Sequence, residues 1–182
     1  MKKYLSIFVL LFTVLACTDA QQKTAQAVAE LTFTYTRLSG SASNQFAVWV
    51  EDAQGKYIKT LYATKYTATG GWKRRETSIP IWVKKSGLAD LSSSQVDAIS
   101  GATPKTGTLV YTWDGTDSSG KAVPMEEYVL FLEATLRWEN QVLYRAPISF
   151  RKGAAAKVSV EYKGDAGADR SMISDVKART LR

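Results

Sequence analysis

Large apolar side chains recur at every second position through residues 128–139, and polar side chains occupy the intervening positions from Glu133 onward; this period of two constrains the fold more than any other feature of the chain. Successive side chains of a β-strand point to opposite faces, so the pattern is typical of a strand with one buried face. Similar alternation marks further segments, at residues 31–36, 46–51, 57–62, 108–113, 142–150 and 157–162. About seven strands without a long helix predict an all-β fold, an antiparallel β-sandwich.

The alternation fails between residues 64 and 108, where glycines and prolines interrupt the sequence. We expect short helices in this insertion, one around Trp82 that ends near Gly87 and one that begins at Ser92. A connection of this length is usually functional or disordered, and its aromatic and apolar content favours order. The insertion is therefore where we expect a functional site.

The amino terminus predicts export. Two lysines precede an apolar run over residues 4–16, which is too short to span a bilayer as a helix and is typical of a secretion signal. The run ends in Val14-Leu15-Ala16-Cys17, which resembles a bacterial lipobox. It implies a lipoprotein signal peptide over residues 1–16 and a lipid on Cys17 that anchors the protein in the bacterial cell envelope, on the periplasmic side of a membrane. Ordinary signal-peptidase cleavage after Ala20 is the alternative.

Cleavage before Cys17 leaves a chain of 166 residues with a formal net charge of +5, against +7 for the whole chain. That length suits one domain with its own core. We assign residues 17–29, rich in glutamine and alanine, to a flexible tether, residues 30–162 to the sandwich and residues 163–182 to a C-terminal tail, partly disordered. The mild charge and the lack of a recognisable binding module predict that nucleic acid is not a partner.

The chain contains no histidine, and its one cysteine lies at the signal-peptide boundary. Histidine-based triads, histidine-ligated haem and two-histidine metal sites are therefore excluded, as are disulfides and cysteine-ligated metals in the folded domain. Catalysis would depend on carboxylates, lysine, tyrosine or a cofactor. A carboxylate-based hydrolase is the least supported function. Alternation places many of the acids on or near the clearest strand on its solvent face, and no second acid is evidently paired with them across a cleft: Glu126, Glu127, Glu133 and Glu139.

The insertion contains the string Asp97-Ala98-Ile99-Ser100-Gly101-Ala102-Thr103. It resembles D-x-x-S/T-G-A-T, the site at which bacterial flavin transferases esterify a threonine hydroxyl with FMN in subunits of respiratory flavoproteins. The resemblance implies a cofactor-binding site made of Asp97, Ser100, Gly101, Ala102 and Thr103. Thr103 would be the acceptor, Gly101 and Ala102 would let the transferase approach, and Asp97 would bond the loop or help orient a metal ion in the transferase.

A structural interpretation of the same string stays open. A tight loop between strands, in which Asp97 caps the backbone and Ser100 and Thr103 bond their neighbours, needs the same residue types. Trp72 and Trp82 are candidates to stack on a flavin ring, although large aromatic side chains more often fill the core of a sandwich.

Two further resemblances concern the domain as a whole. Trp113-Asp114-Gly115-Thr116-Asp117, followed by Val123-Pro124 and Tyr128, resembles the penultimate hairpin of bacterial immunoglobulin-like domains of the flagellar-hook-cap type. With Phe46–Val50, the region around Trp82 and the loop from Val96 to Thr103, this segment also resembles a family of predicted periplasmic proteins of unknown function. That resemblance covers most of residues 30–152 and implies export and an immunoglobulin-like sandwich with a long insertion of loops and short helices. Members are often encoded near flavin transferases and membrane redox proteins.

The sequence therefore predicts an exported, lipid-anchored accessory or binding module of a cell-envelope complex, without catalytic activity of its own, in a setting of flavin-based electron transfer outside the cytosol. An electron carrier with FMN covalently linked to Thr103 is the alternative. Its expected partners are a flavin transferase and membrane redox proteins.

Overall fold

The computed structural model describes residues 28–40, 42–149 and 155–181. The strands in this part of the chain are β1 (Ala29–Tyr35), β2 (Ala42–Asp52), β3 (Tyr57–Thr64), β4 (Ser100–Gly101), β5 (Gly107–Trp113), β6 (Glu127–Arg137), β7 (Gln141–Ser149), β8 (Ser159–Lys163) and β9 (Ile173–Thr180). They form a three-stranded sheet in the order β5-β1-β9 and a six-stranded sheet in the order β4-β3-β2-β6-β7-β8. Strand neighbours are antiparallel except for β3 and β4. The predicted all-β sandwich is confirmed.

The core between the two sheets is rich in aromatic side chains. Phe33 of β1 and Phe46 of β2 are fully buried, and their rings meet edge to face with centroids 5.6 Å apart. Tyr62 of β3 and Tyr111 of β5 extend this cluster, with ring centroids 5.1 Å apart. Burying each large apolar side chain stabilises the fold by about 1.5–3 kcal/mol, so this cluster fixes how the two sheets meet.

The insertion forms a layer of short helices on the outer face of the six-stranded sheet. Its α-helices are α1 (Trp72–Arg74), α2 (Pro80–Lys85) and α3 (Ser93–Ile99). The two predicted helices are confirmed: Gly87 follows α2 in a left-handed conformation, with φ of 63°, and Ser92 and Gln95 form a capping box at the start of α3. Trp49 and Trp82 belong to a second core, between this helical layer and the sheet.

Both ends of the predicted sandwich extend further than expected. Residues 173–180, assigned from the sequence to a tail, form β9, which pairs with β1 from Ala29 opposite Thr180 to Tyr35 opposite Ile173. Val28 and Ala29, assigned to the tether, are buried. The predicted signal peptide, Cys17 and the tether up to residue 27 lie outside the described residues.

The segment between Trp113 and Tyr128 connects the two sheets and contains a short antiparallel bridge between Thr116 and Ala122, whereas the strands that flank it do not pair with each other. Its first flanking strand, β5, pairs with β1 in the three-stranded sheet, whereas β6 pairs with β2 and β7 in the six-stranded sheet. The rings of Trp113 and Tyr128 nevertheless pack together, with centroids 4.8 Å apart. The sheets are therefore joined by an aromatic contact at this crossing.

The register of the strands defines two ends of the sandwich. At one end, Tyr35 lies opposite Gly107, and Ala63 lies beside Ser100, so the β1–β2 loop and residues 102–106 lie together; we call this the motif end. At the other end, Val28 donates to the carbonyl of Trp113 and its own carbonyl accepts from the amide of Leu181. We call this the Val28 end. The strand β1 runs from the Val28 end to the motif end.

Candidate functional site

The motif of residues 97–103 occupies three kinds of structure rather than one tight loop. Asp97 lies in the last turn of α3. Ser100 and Gly101 form β4, which pairs parallel to Ala63 and Thr64 of β3. Only residues 102–106 form the loop that leads to β5, so Thr103 lies just beyond β4, at the edge of the sheet.

Tyr62 of β3 holds the backbone of the motif. Its hydroxyl donates to the carbonyl of Ala102 at 2.7 Å and to the carbonyl of Gly101 at 3.2 Å. A Cβ at Gly101 would lie 2.8 Å from the Tyr62 ring, so the ring occupies the space that any larger residue would need. Burial raises the pKa of Tyr62 from 10 to about 12, so the hydroxyl stays protonated and able to donate well above neutral pH.

Sequence reasoning did not identify Tyr62 as part of the site. Its contacts with the motif join residues 39 and 40 positions apart. The period-two pattern places Tyr62 on a strand, but it carries no signal that β4 would return beside that strand.

Asp97 and Ser100 do not take the roles of the structural interpretation. Asp97 forms an ion pair with Lys65 at 3.6 Å, and both side chains are more than 60% exposed, at 65% and 61%, so the pair contributes little to stability. The Ser100 hydroxyl is buried, and it has no hydrogen-bond partner among the described residues. Neither side chain caps the loop backbone.

Thr103 lies at the motif end, and its hydroxyl is not hydrogen-bonded to the loop of residues 102–106. Ala102 before it is exposed and Thr103 itself is half-buried. The far side of the loop is fixed at Thr106, whose hydroxyl accepts from the amide of Arg37 at 3.0 Å. Within the described part of the chain, the Thr103 hydroxyl makes no hydrogen bond, so an incoming reagent would displace none.

The two candidate tryptophans have different surroundings. Trp82 is fully buried, and its indole nitrogen donates to the Thr60 hydroxyl at 2.8 Å, so it belongs to the core. Trp72 is half-buried and lines an open groove of about 440 Å³ that also includes Asp97 and Leu88. Of the two, only Trp72 has a face available near the motif.

Glu133 contradicts the expectation that the acids of its strand face solvent. It is fully buried under the helical layer, where its two carboxylate oxygens accept from the amides of Ile81 at 3.1 Å and Trp82 at 2.8 Å. Desolvation raises its pKa to about 7, against the opposing effect of these two hydrogen bonds. Its contacts anchor α2 on the sheet. In the described residues, no group of three or more acidic, histidine or cysteine side chains is arranged to hold a metal ion.

Comparison with known proteins adds the family. The family described as "Predicted periplasmic protein (DUF2271)" matches residues 28–168. No curated protein and no solved structure matches the chain. Among the described helices, none is long and apolar enough to cross a membrane. Because the match covers well over half of the chain, the protein belongs to this family of predicted periplasmic proteins of unknown function.

Proposed function

We propose that this protein is an exported electron carrier whose cofactor is FMN, esterified to the Thr103 hydroxyl by a separate flavin transferase. The observation that carries the proposal is the position of the acceptor string. Thr103 lies at the motif end, just after β4, which pairs with β3. Among the described residues its hydroxyl has no hydrogen-bond partner. An acceptor needs both access and a fixed backbone, and this segment combines them.

The attachment is a phosphoryl-group transfer from FAD. The Thr103 oxygen attacks the phosphorus of the FMN half, the pyrophosphate P–O bond breaks, and AMP leaves. The proton of the hydroxyl passes to a base of the transferase or to water, and no oxidation state changes. Once bound, the flavin carries one or two electrons between other redox proteins.

The residues around Thr103 would serve the attachment in different ways. Ala102 is small and exposed, so it leaves room for the transferase against the backbone. Pro104 restricts Thr103 to an extended backbone conformation and disfavours a helical one. Lys105 and Arg37 are exposed near the same loop, and their positive charges favour an approaching phosphate.

Thr103→Val tests the acceptor directly. We expect the mature wild-type protein, expressed with a flavin transferase, to keep yellow fluorescence after denaturation and to gain the mass of one FMN. Thr103→Val keeps the shape of the side chain but removes the oxygen, so it should abolish both signals. Thr108→Val, which removes an exposed hydroxyl from β5, is the matched control. Flavin retained in Thr103→Val, or absent from the wild type, would refute the proposal.

A binding role without flavin is the second candidate, and the edge strand β8 favours it. Every residue of this strand is exposed, and Val160 and Tyr162 present apolar surface at 49% and 37% exposure. An exposed edge strand can add a strand from a partner chain. In this role the protein would be a non-catalytic accessory module of a cell-envelope complex, and unmodified wild-type protein would favour it.

Lipid attachment at Cys17, outside the described residues, is part of the same proposal. An acylated Cys17 would hold the protein on the periplasmic side of a membrane, because each buried methylene of an acyl chain contributes about 0.8 kcal/mol. We expect radiolabelled palmitate to enter the wild type and to be absent from Cys17→Ala, which should move to the soluble fraction. Wild-type protein that takes up no label would contradict the anchor while leaving the Thr103 result unaffected.

A further inference from the structure

We propose that Tyr62 is the positioning residue of the acceptor segment: its hydroxyl and ring hold the backbone at Gly101 and Ala102 so that Thr103 is presented to the transferase. This inference rests on the proposed function. The Tyr62 hydroxyl bonds Gly101 and Ala102, so Tyr62 acts on Thr103 through the two residues that precede Thr103. The shared bond from one hydroxyl to two consecutive carbonyls, at 3.2 and 2.7 Å, fixes the direction in which the chain leaves β4.

The Tyr62 ring also explains why a glycine stands at position 101. Gly101 is not among the glycines with positive φ, so its backbone conformation is open to other residues. What excludes a side chain is the ring, whose nearest carbon would lie 2.8 Å from a Cβ at this position. The glycine of the motif therefore makes room for the Tyr62 ring.

Tyr62 is itself held rigidly. Its ring stacks on Phe46 with centroids 5.1 Å apart and lies 5.1 Å from the ring of Tyr111, within the core between the sheets. The next two residues of β3, Ala63 and Thr64, pair with β4. The acceptor segment is thus attached to the core by a strand ladder and by one side chain, and Thr103 follows immediately.

Tyr62→Phe is the direct test, because it keeps the ring and removes only the hydroxyl. We expect flavin incorporation at saturating protein concentration to slow by about fivefold to tenfold, the effect of losing one or two hydrogen bonds. The KM for the protein should change little, since the residues of the motif are intact. Tyr111→Phe removes a hydroxyl from the same aromatic cluster without removing either bond to the motif, and it should incorporate flavin at the wild-type rate.

Gly101→Ala tests the ring independently of the hydroxyl. The added methyl should slow flavin incorporation in the wild-type background, and its effect should be smaller in Tyr62→Leu, where the ring is gone. Thermal melts of all variants report whether they fold, and faster amide exchange over residues 102–106 in Tyr62→Phe than in Tyr111→Phe would show a loosened segment directly.

The outcomes separate the two proposals. Wild-type protein without flavin overturns the proposed function and the positioning role together. Flavin attached equally fast to the wild type and Tyr62→Phe, with unchanged exchange over residues 102–106, overturns the positioning role alone.

Discussion

Replacing Trp82 with alanine should lower the free energy of unfolding by about 3–5 kcal/mol, the usual cost of removing a buried aromatic side chain. Trp82 is fully buried between the helical layer and the six-stranded sheet, and its indole nitrogen donates to Thr60 at 2.8 Å. The substitution would leave a cavity under α2. In a domain of this size the thermal midpoint should fall by about 10 °C, as measured by circular dichroism or calorimetry.

Two variants make this result specific. Trp82→Phe keeps a ring and loses only the donor and part of the volume, so its cost should be smaller, about 1–2 kcal/mol. Trp138→Ala removes the same side chain type from a position that is 62% exposed, and it should change stability by no more than about 0.5 kcal/mol. A Trp82→Ala protein that melts with the wild type would show that the helical layer does not depend on this contact.

Glu133 should make the stability of the wild type fall as the pH rises from about 4.5 to about 7. Desolvation raises its pKa in the folded state from 4.5 to about 7, so in this window the folded protein holds a proton that the unfolded chain has released. The contribution of this group is complete below about pH 4.5 and lost above about pH 7. The whole change amounts to about 3 kcal/mol.

Glu133→Gln isolates this effect from other titrations. The amide cannot ionise, so the difference in unfolding free energy between wild type and variant should shrink by about 3 kcal/mol between pH 4.5 and pH 7.5. The variant should also be less stable at low pH. The NH₂ group of its side-chain amide cannot accept a hydrogen bond, so the backbone N–H of either Ile81 or Trp82 loses its acceptor. Glu139→Gln, at an exposed turn, should leave the pH profile of the wild type unchanged. Parallel profiles of wild type and Glu133→Gln would show that this carboxyl does not titrate in the window.

Alternation predicted the strands where one face is buried, and it failed where local geometry or a second layer changed the pattern. The strand β9 was not predicted because a bulge interrupts its alternation. Thr32 pairs with Lys177 and Thr34 pairs with Ser174, so β9 has one more residue than β1 between these pairs. Glu133 lies on a strand that is covered on both faces. The helices that cover it come from a segment some 50 residues earlier, which periodicity within the strand cannot reveal.

The candidate site shows the same division between local and distant information. The motif, its place in the insertion and the capping box before it are local features, and they can be recognised in the sequence. The contacts of Tyr62 with Gly101 and Ala102 depend on β4 returning beside β3, which is a property of the tertiary structure. The ion pair between Lys65 and Asp97 depends on the same return.

The opposition of the motif end and the Val28 end determines what an attached flavin could reach. The six residue steps of β1 separate the two ends by about 20 Å. The chain from Cys17 to Val28 spans at most about 40 Å when fully extended. This reach exceeds the distance between the two ends, so under the proposed lipid anchor at Cys17 Thr103 would reach either the bilayer surface or a soluble partner away from it. In that case the number of residues between Cys17 and Val28 would set the distances over which an attached flavin exchanges electrons with other redox centres.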